Sequence, residues 1–237
     1  MDCSPQPTVT LRRLGLADAP RLDEMYRSCE IGTHNYREKL TPGEKSFENI
    51  GGMFLINSPE RNRELLTGSG VMIGGELDGK LSGMIWYDTA DCAYPFDEIR
   101  YTDETASYRD TVTTLAAEHR VFPGKEVIVM PEAKGQMAYE LFAALLSAGG
   151  EAGYTHMIGE VYCADGYEDG DGFFPCHMLN IPSFRTLQKT GGIHLGTLPQ
   201  KIISKDPVRY YITPQVFLWN ISESVSTIRQ IITLKWG

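Results

Sequence analysis

The run at 127–146, VIVMPEAKGQMAYELFAALL, contains the first side chains and backbone groups in this chain that could do chemistry. A β-branched apolar stretch gives way to a proline, then to a short polar loop with Lys134 and Gly135, then to a helical pattern. The first N–H groups of a helix lack internal partners, so a helix entered through a tight loop can hold an anion. Lys134 brings positive charge, and Gly135, Gln136 and Met137 would aim their N–H groups at it. The helix dipole adds about 0.3–1 kcal/mol for a nearby charge. Glu160 stands among apolar residues in a second strand-like run, 157–163. A carboxylate half-buried there would have a raised pKa, which suits a general base. Two other constellations carry less. Cys176 and His177 are sequence neighbours, whereas a thiol nucleophile and its base normally meet across the fold. Asp165, Asp169 and Asp171 hint at a calcium loop, but counting from Asp165 the third and twelfth positions are Tyr167 and Cys176. No metal site is expected.

These groups need elements to position them. Val9 and Leu11 alternate in a strand at 8–13, and Asp18 stands where an N-cap belongs, with Pro20 in the first turn. Leu22, Met25, Tyr26 and Cys29 then form one helical stripe. The pattern from 32 to 70 is weak, with a short helix near Phe47 and another opened by the turn Asn57-Ser58-Pro59-Glu60. Strands at 71–77 and 81–87 flank Asp78-Gly79-Lys80, the strongest hairpin signal in the chain. An acidic insertion at 88–120 holds a helix over 111–120. The strand at 126–130 reads as buried on both faces. The helix after it carries Met137, Leu141, Leu145 and Ala148 on one face and should stop at Gly149-Gly150. A second acidic, glycine-rich insertion at 164–176 reads as a flexible loop. A short helix at 181–190 precedes a last strand pair, 193–198 and 208–219, and 220–237 is an apolar-basic tail without a placement. The order predicts an α/β fold: a mixed, mainly antiparallel sheet with helices on both faces and one central parallel strand–helix–strand crossover.

Composition narrows the class. The net charge of -9 argues against nucleic acid, whose phosphates need a basic patch. No run of apolar residues is long enough for a membrane span, and the start lacks the charge and apolar stretch of a signal peptide, so a cytoplasmic location is expected. Five widely spaced cysteines without a CxxC pair suggest neither a zinc ribbon nor a disulfide scaffold.

The order of elements resembles the GNAT superfamily of CoA-dependent N-acyltransferases, as a divergent member. The resemblance rests on Leu11-Arg12-Arg13 with Asp18, on the hairpin from Glu76 to Gly83, on 127–146, and on Asn180-Ile181-Pro182-Ser183 followed by Lys189-Thr190-Gly191-Gly192. It spans 8–219 as one domain, with insertions at 88–120 and 164–176 and the tail outside it. It implies acetyl-CoA as co-substrate, with Lys134, Gly135, Gln136, Met137 and Ala138 on the pyrophosphate, and Asn180 and Ser183 on the pantetheine arm. It also implies a backbone N–H near Val129 or Met130 that polarises the thioester carbonyl. Glu126 falls where some members carry a catalytic Glu. Two positions depart from the family loop, Met137 and Tyr139 standing where it is small. The family's usual Tyr acid falls on Leu187, which leaves Tyr162 and Cys163 as the nearest candidates by sequence. The expected reaction is transfer of an acetyl group to a primary amine. Acidic residues of the two insertions, with interleaved rings, point to a cationic small molecule as acceptor. The expected partners are therefore an amine, with neither nucleic acid nor membrane, and a homodimer is allowed. Two alternatives stay open: a silent CoA-binding or sensor domain, and transfer of a longer acyl chain.

Overall fold

The computed structural model describes residues 9–68, 70–88 and 93–236. In chain order the elements are β1 (Val9–Arg13), α1 (Ala19–Cys29), the one-turn helices α2 (Tyr36–Lys39) and α3 (Phe47–Ile50), α4 (Pro59–Thr67), β2 (Gly70–Leu77), β3 (Lys80–Asp88), β4 (Arg100–Tyr101), α5 (Tyr108–Ala117), β5 (Val121–Val129), α6 (Gln136–Glu151), β6 (His156–Asp169), β7 (Gly172–Leu179), α7 (Ile181–Lys189), β8 (Ile193–Thr197), β9 (Lys201–Lys205), β10 (Val208–Asn220) and α8 (Ile221–Trp236). The strands form one sheet in the order β1-β2-β3-β5-β6-β10-β8-β4, with β7 added beside β6 and β9 beside β10. Among the described strand pairs only β5–β6 is parallel, and α6 is its crossover. The expected mixed sheet is therefore present.

Local chemistry explains the elements. Asp78 and Gly79 take φ of 52° and 76°, the left-handed pair that closes a two-residue hairpin between β2 and β3. Ser58 caps α4 by accepting the Arg61 N–H at 3.2 Å, and Pro59 occupies the first turn. Alternate residues of β3 serve two cores: Met84 and Trp86 pack under α1 and α4, while Ile85 and Tyr87 pack under α6. This two-sided burial explains its nearly unbroken apolar run. No described helix is long and apolar enough to cross a membrane.

Five local expectations need correction. Asp18 makes no side-chain cap on α1. Its carboxylate accepts the Gly15 N–H at 2.9 Å and pairs with Arg12 at 2.6 Å. The second insertion is not a loop. Strand β6 runs through it to Asp169 and folds back as β7, because Ala164 and Tyr167, brought into the same core by a bulge between them, pack with Phe47, Phe54 and Tyr210. Its carboxylates are held, Asp169 by the Tyr36 hydroxyl at 2.7 Å and by Arg37 at 2.9 Å. Strand β9 has no counterpart among the expected elements; it pairs with β10 and extends the same arm. Helix α6 continues past Gly149, which lets the helix touch the sheet: a Cβ there would lie 2.2 Å from a Phe122 ring carbon. Finally, the tail is a helix. α8 covers the outer side of α6, burying Tyr139, Ala143 and Leu146, and its Trp236 ring lies 5.7 Å from that of Tyr139. Burying a leucine such as Leu146 stabilises by about 1.5–3 kcal/mol.

Candidate active site

Strands β5 and β6 pair only over Val121–His156, Phe122–Met157 and Pro123–Ile158. Beyond Pro123 they separate, while β5 stays paired to β3 on its other edge. On that edge the Met130 N–H donates to the Ser82 carbonyl at 2.8 Å. Antiparallel partners alternate between bonded and non-bonded pairs, so Ile128 also faces β3, and Val127 and Val129 turn their N–H groups into the gap. Of the two positions expected to offer an N–H there, Val129 does and Met130 does not.

The gap opens into a cleft of about 390 Å³ between β5, α6 and α7. Gly135 takes φ 101° at the N-cap of α6, a conformation that favours glycine, and Lys134, Gly135 and Ala138 border the cleft. Gln136 and Met137 do not. The Gln136 amide donates to Glu140 at 3.3 Å, and the Met137 side chain is buried against the sheet. Glycines make room for it: a Cβ at Gly75 would stand 2.0 Å from its sulfur, and one at Gly83 would stand 2.8 Å from its Cγ. The bulk that replaces a small loop residue is thus turned away from the cleft. Tyr139, the other large residue in the loop, borders the cleft and packs on Trp236. Asn180 spends Oδ1 on the Ser183 N–H at 3.1 Å as the N-cap of α7, and both residues stand on the wall. The charged residues on that wall are Lys134, Arg185 and Lys189; no described Asp or Glu joins them.

A second pocket of about 480 Å³ shares Val127, Asn180, Ser183 and Leu187 with the first. Glu126, Glu160 and Tyr162 all border it, so the fold brings the three proposed catalytic side chains to one place. Glu126 Oε2 accepts from the Tyr26 hydroxyl, from Trp86 Nε1 at 3.0 Å and from Asn57 Nδ2 at 3.4 Å. Asn57 also donates to the Tyr26 oxygen at 2.8 Å. These donors converge on one oxygen, and none of these hydrogen bonds ends on Oε1. Burial raises the Glu126 pKa above the usual glutamate range, against the pull of the Tyr26 and Trp86 donors. Burial, and then the charge on Glu126, pushes the Tyr26 hydroxyl far up. Glu160 pairs with Lys201 of β9 at 3.3 Å. Tyr162 is pushed up by burial, then by Glu160 and Glu126. Leu187, where a tyrosine acid would stand, is a buried wall residue. Cys163 lines neither pocket, and burial holds its thiol up at about 11.

The acidic insertions do not crowd this pocket. None of the described carboxylates at 88–120 or 164–176 borders it; Glu160, which does, precedes the second insertion on β6. Asp165 accepts from Gln200 and Thr213, and Glu168 from Tyr211. Of the interleaved rings Tyr94 is on the wall, whereas Phe173 packs on Tyr211 and Phe174 on Tyr167. Asp91 lies outside the described residues.

Sequence reasoning missed the partners of Glu126. Tyr26 and Trp86 sit on apolar faces and read as core, which they also are. The available signal was their polar tips, since a buried tyrosine or tryptophan usually finds a partner. Nothing local marked Asn57, or Lys201 on an unexpected strand.

No protein-family model matches the chain, and no curated protein matches it in sequence. Solved structures do match. An N-acetyltransferase from Staphylococcus aureus Mu50 superposes with a TM-score of 0.51 at 12% identity, over 90% of this chain and 99% of that one. A candidate acetyltransferase from Acinetobacter baylyi ADP1 gives 0.53 at 15%, over 92% and 94%. A candidate GNAT-family acetyltransferase from Desulfovibrio desulfuricans gives 0.50 at 11%, over 90% and 99%. At these identities the likeness is one of fold.

Proposed function

From the GNAT acetyltransferase fold that the chain shares with these structures, we propose that it transfers an acetyl group from acetyl-CoA to a primary amine. One observation carries the reading. The strands part at Pro123, so unpaired N–H groups of β5 face one cleft while Glu126, on the same strand, faces the pocket that adjoins it. A cleft walled by Lys134, Arg185, Lys189 and the start of α6 suits a cofactor rich in phosphate. The thioester supplies an activated acyl carbon. The Val129 N–H then donates to the carbonyl oxygen as negative charge grows on it, an electrostatic contribution typically worth about 10²–10³ in kcat. Glu126 takes a proton from the bound ammonium, the neutral amine nitrogen attacks that carbon, the carbon–sulfur bond breaks, and the second proton the nitrogen sheds on becoming an amide passes to water. Tyr162 keeps its proton because its pKa is raised. It can hydrogen-bond the leaving thiolate, but full transfer would run uphill, so the thiolate is protonated by water.

The acceptor is a cationic small molecule in this reading. Glu126 and the rings of Trp86 and Tyr94, which line this pocket, suit an ammonium group, while the Tyr162 ring already has Lys201 Nζ 6.0 Å from its centroid. The basic side chains on the same wall are Lys201, paired with Glu160, Arg61, paired with Glu64, and Lys125, which follows Gly124 and precedes Glu126 on β5. What supports this acceptor is the pocket itself rather than steering by the insertions. The small pocket of about 40 Å³ between Phe142, Met157, Leu187 and Trp219 favours acetyl over a longer chain.

CoA at about a hundred times its dissociation constant should stabilise the fold by about 2.7 kcal/mol, read as a rise in Tm. Gly135→Glu should remove the rise, because it sets a carboxylate against the phosphates. Thiol release with a panel of amines should favour cationic acceptors, with apparent affinity falling as salt rises. An unchanged Tm up to millimolar CoA would overturn the reading. Binding without thiol release from any amine would leave a silent CoA-binding domain.

A further inference from the structure

The cofactor cleft runs against the net charge of the molecule. The chain has 31 acidic residues against 22 basic ones, yet every described charged residue on the cleft wall is basic. Lys134 belongs to the loop before α6, whereas Arg185 and Lys189 come from α7. They are four residues apart, so they share one face of that helix. Glu160, Glu64 and Glu132 have taken other cations, Lys201, Arg61 and Lys80. Helix α7 holds neither Asp nor Glu that could take Arg185 or Lys189. Lys189 in the last turn also complements the helix dipole, but Arg185, a turn earlier, has no such role.

We propose that Arg185 and Lys189 form a second anion subsite in the cleft, one that binds the 3′-phosphate of CoA and makes the protein select CoA over 3′-dephospho-CoA. The inference rests on the acyltransferase reading above. CoA carries two separate anionic centres, a pyrophosphate and a phosphate monoester. The start of α6 with Lys134 serves one of them, and a pair of cations on a different helix serves the other. Arg185 can meet a phosphate with two parallel N–H donors, and Lys189 adds a point charge. Both side chains are exposed, so the fold does not depend on them.

The test is calorimetric titration of the full chain with CoA and with 3′-dephospho-CoA, at low and high salt, for the parent and for Arg185→Gln/Lys189→Gln. The parent should bind CoA about tenfold more tightly, equivalent to about 1.4 kcal/mol. The double variant should bind both compounds alike, through loss of CoA affinity, and its CoA affinity should depend less on salt. Equal affinity of the parent for both compounds overturns the proposal and leaves the cleft a CoA site. A preference that survives in the double variant overturns the assignment to these two residues. If the parent binds neither compound, the acyltransferase reading itself fails.

Discussion

Glu126→Gln should lower kcat by about 10²–10⁴-fold, the usual range for losing a positioned general base. CoA affinity should hardly change, because Glu126 lines the acceptor pocket and not the cofactor cleft. The amide oxygen can still accept from Tyr26, Trp86 and Asn57, so the fold should hold. The pH profile separates a base from a structural carboxylate. A base works ionised, and burial raises this pKa, so kcat/KM for the parent should climb with pH through a value above the ordinary glutamate range. The variant should lack that limb. Tyr26→Phe removes a donor that favours the charged form, so it should move the limb to still higher pH. Stability should follow the same group with the opposite sense. A carboxyl whose pKa is raised on folding contributes fully below its unfolded pKa, and that contribution is lost as pH rises through the folded value. The parent should therefore lose stability relative to Glu126→Gln across that window. A variant with parental kcat and an intact acid limb would remove Glu126 from the mechanism.

Gly83→Ala should destabilise by about 1–3 kcal/mol, as overpacking does. Its new Cβ would meet Met137 Cγ at 2.8 Å and Leu141 Cδ1 at 2.9 Å. Met137→Ala should cost about 2–5 kcal/mol through the cavity it leaves. The double variant should cost less than the sum, with a coupling of about 0.5–3 kcal/mol, because truncating Met137 vacates the space the new methyl needs. Leu141 stays in the way, so rescue is partial. Denaturant unfolding of the four proteins checks this, and strictly additive losses would mean that sheet and helix do not share this space. The single Gly83→Ala change should also weaken CoA binding, since Met137 lies in the first turn of α6.

Both predictions bear on what could be read without a structure. The β2–β3 hairpin was legible because Asp78 and Gly79 are residues that accept positive φ. The helix stripe at Met137, Leu141 and Leu145 was legible because one face of α6 meets the sheet. Its second stripe, Tyr139, Ala143 and Leu146, was also present and announces a covering element, but not that the element is α8. The β6–β7 arm was lost in its own charge: a bulge between Ala164 and Tyr167 breaks the period-two pattern, and the acids around them have partners, Tyr36 and Arg37, that lie far back in the chain. At the site, Glu126 and Glu160 could be found because a carboxylate in an apolar run is anomalous by itself. Tyr26, Asn57 and Trp86 could not be assigned to Glu126, since the contacts lie 100, 69 and 40 residues apart.

Those separations bear on the order in which the molecule can be assembled. The β2–β3 hairpin closes a two-residue turn, and the β6–β7 hairpin closes one of the same length. The Glu126 cluster instead needs α1, the loop before α4, β3 and β5 together, and Lys205 reaches Glu30 across 175 residues. Closing such long loops costs chain entropy before any contact repays it, so local pairings come first and these come late. A chain can therefore have most of its hairpins and helices and still lack the pocket. The carboxylate that would accept a proton becomes buried and acquires its donors only when α1 and the loop before α4 have closed over β3 and β5, so competence arrives with the last contacts rather than with the bulk of the secondary structure.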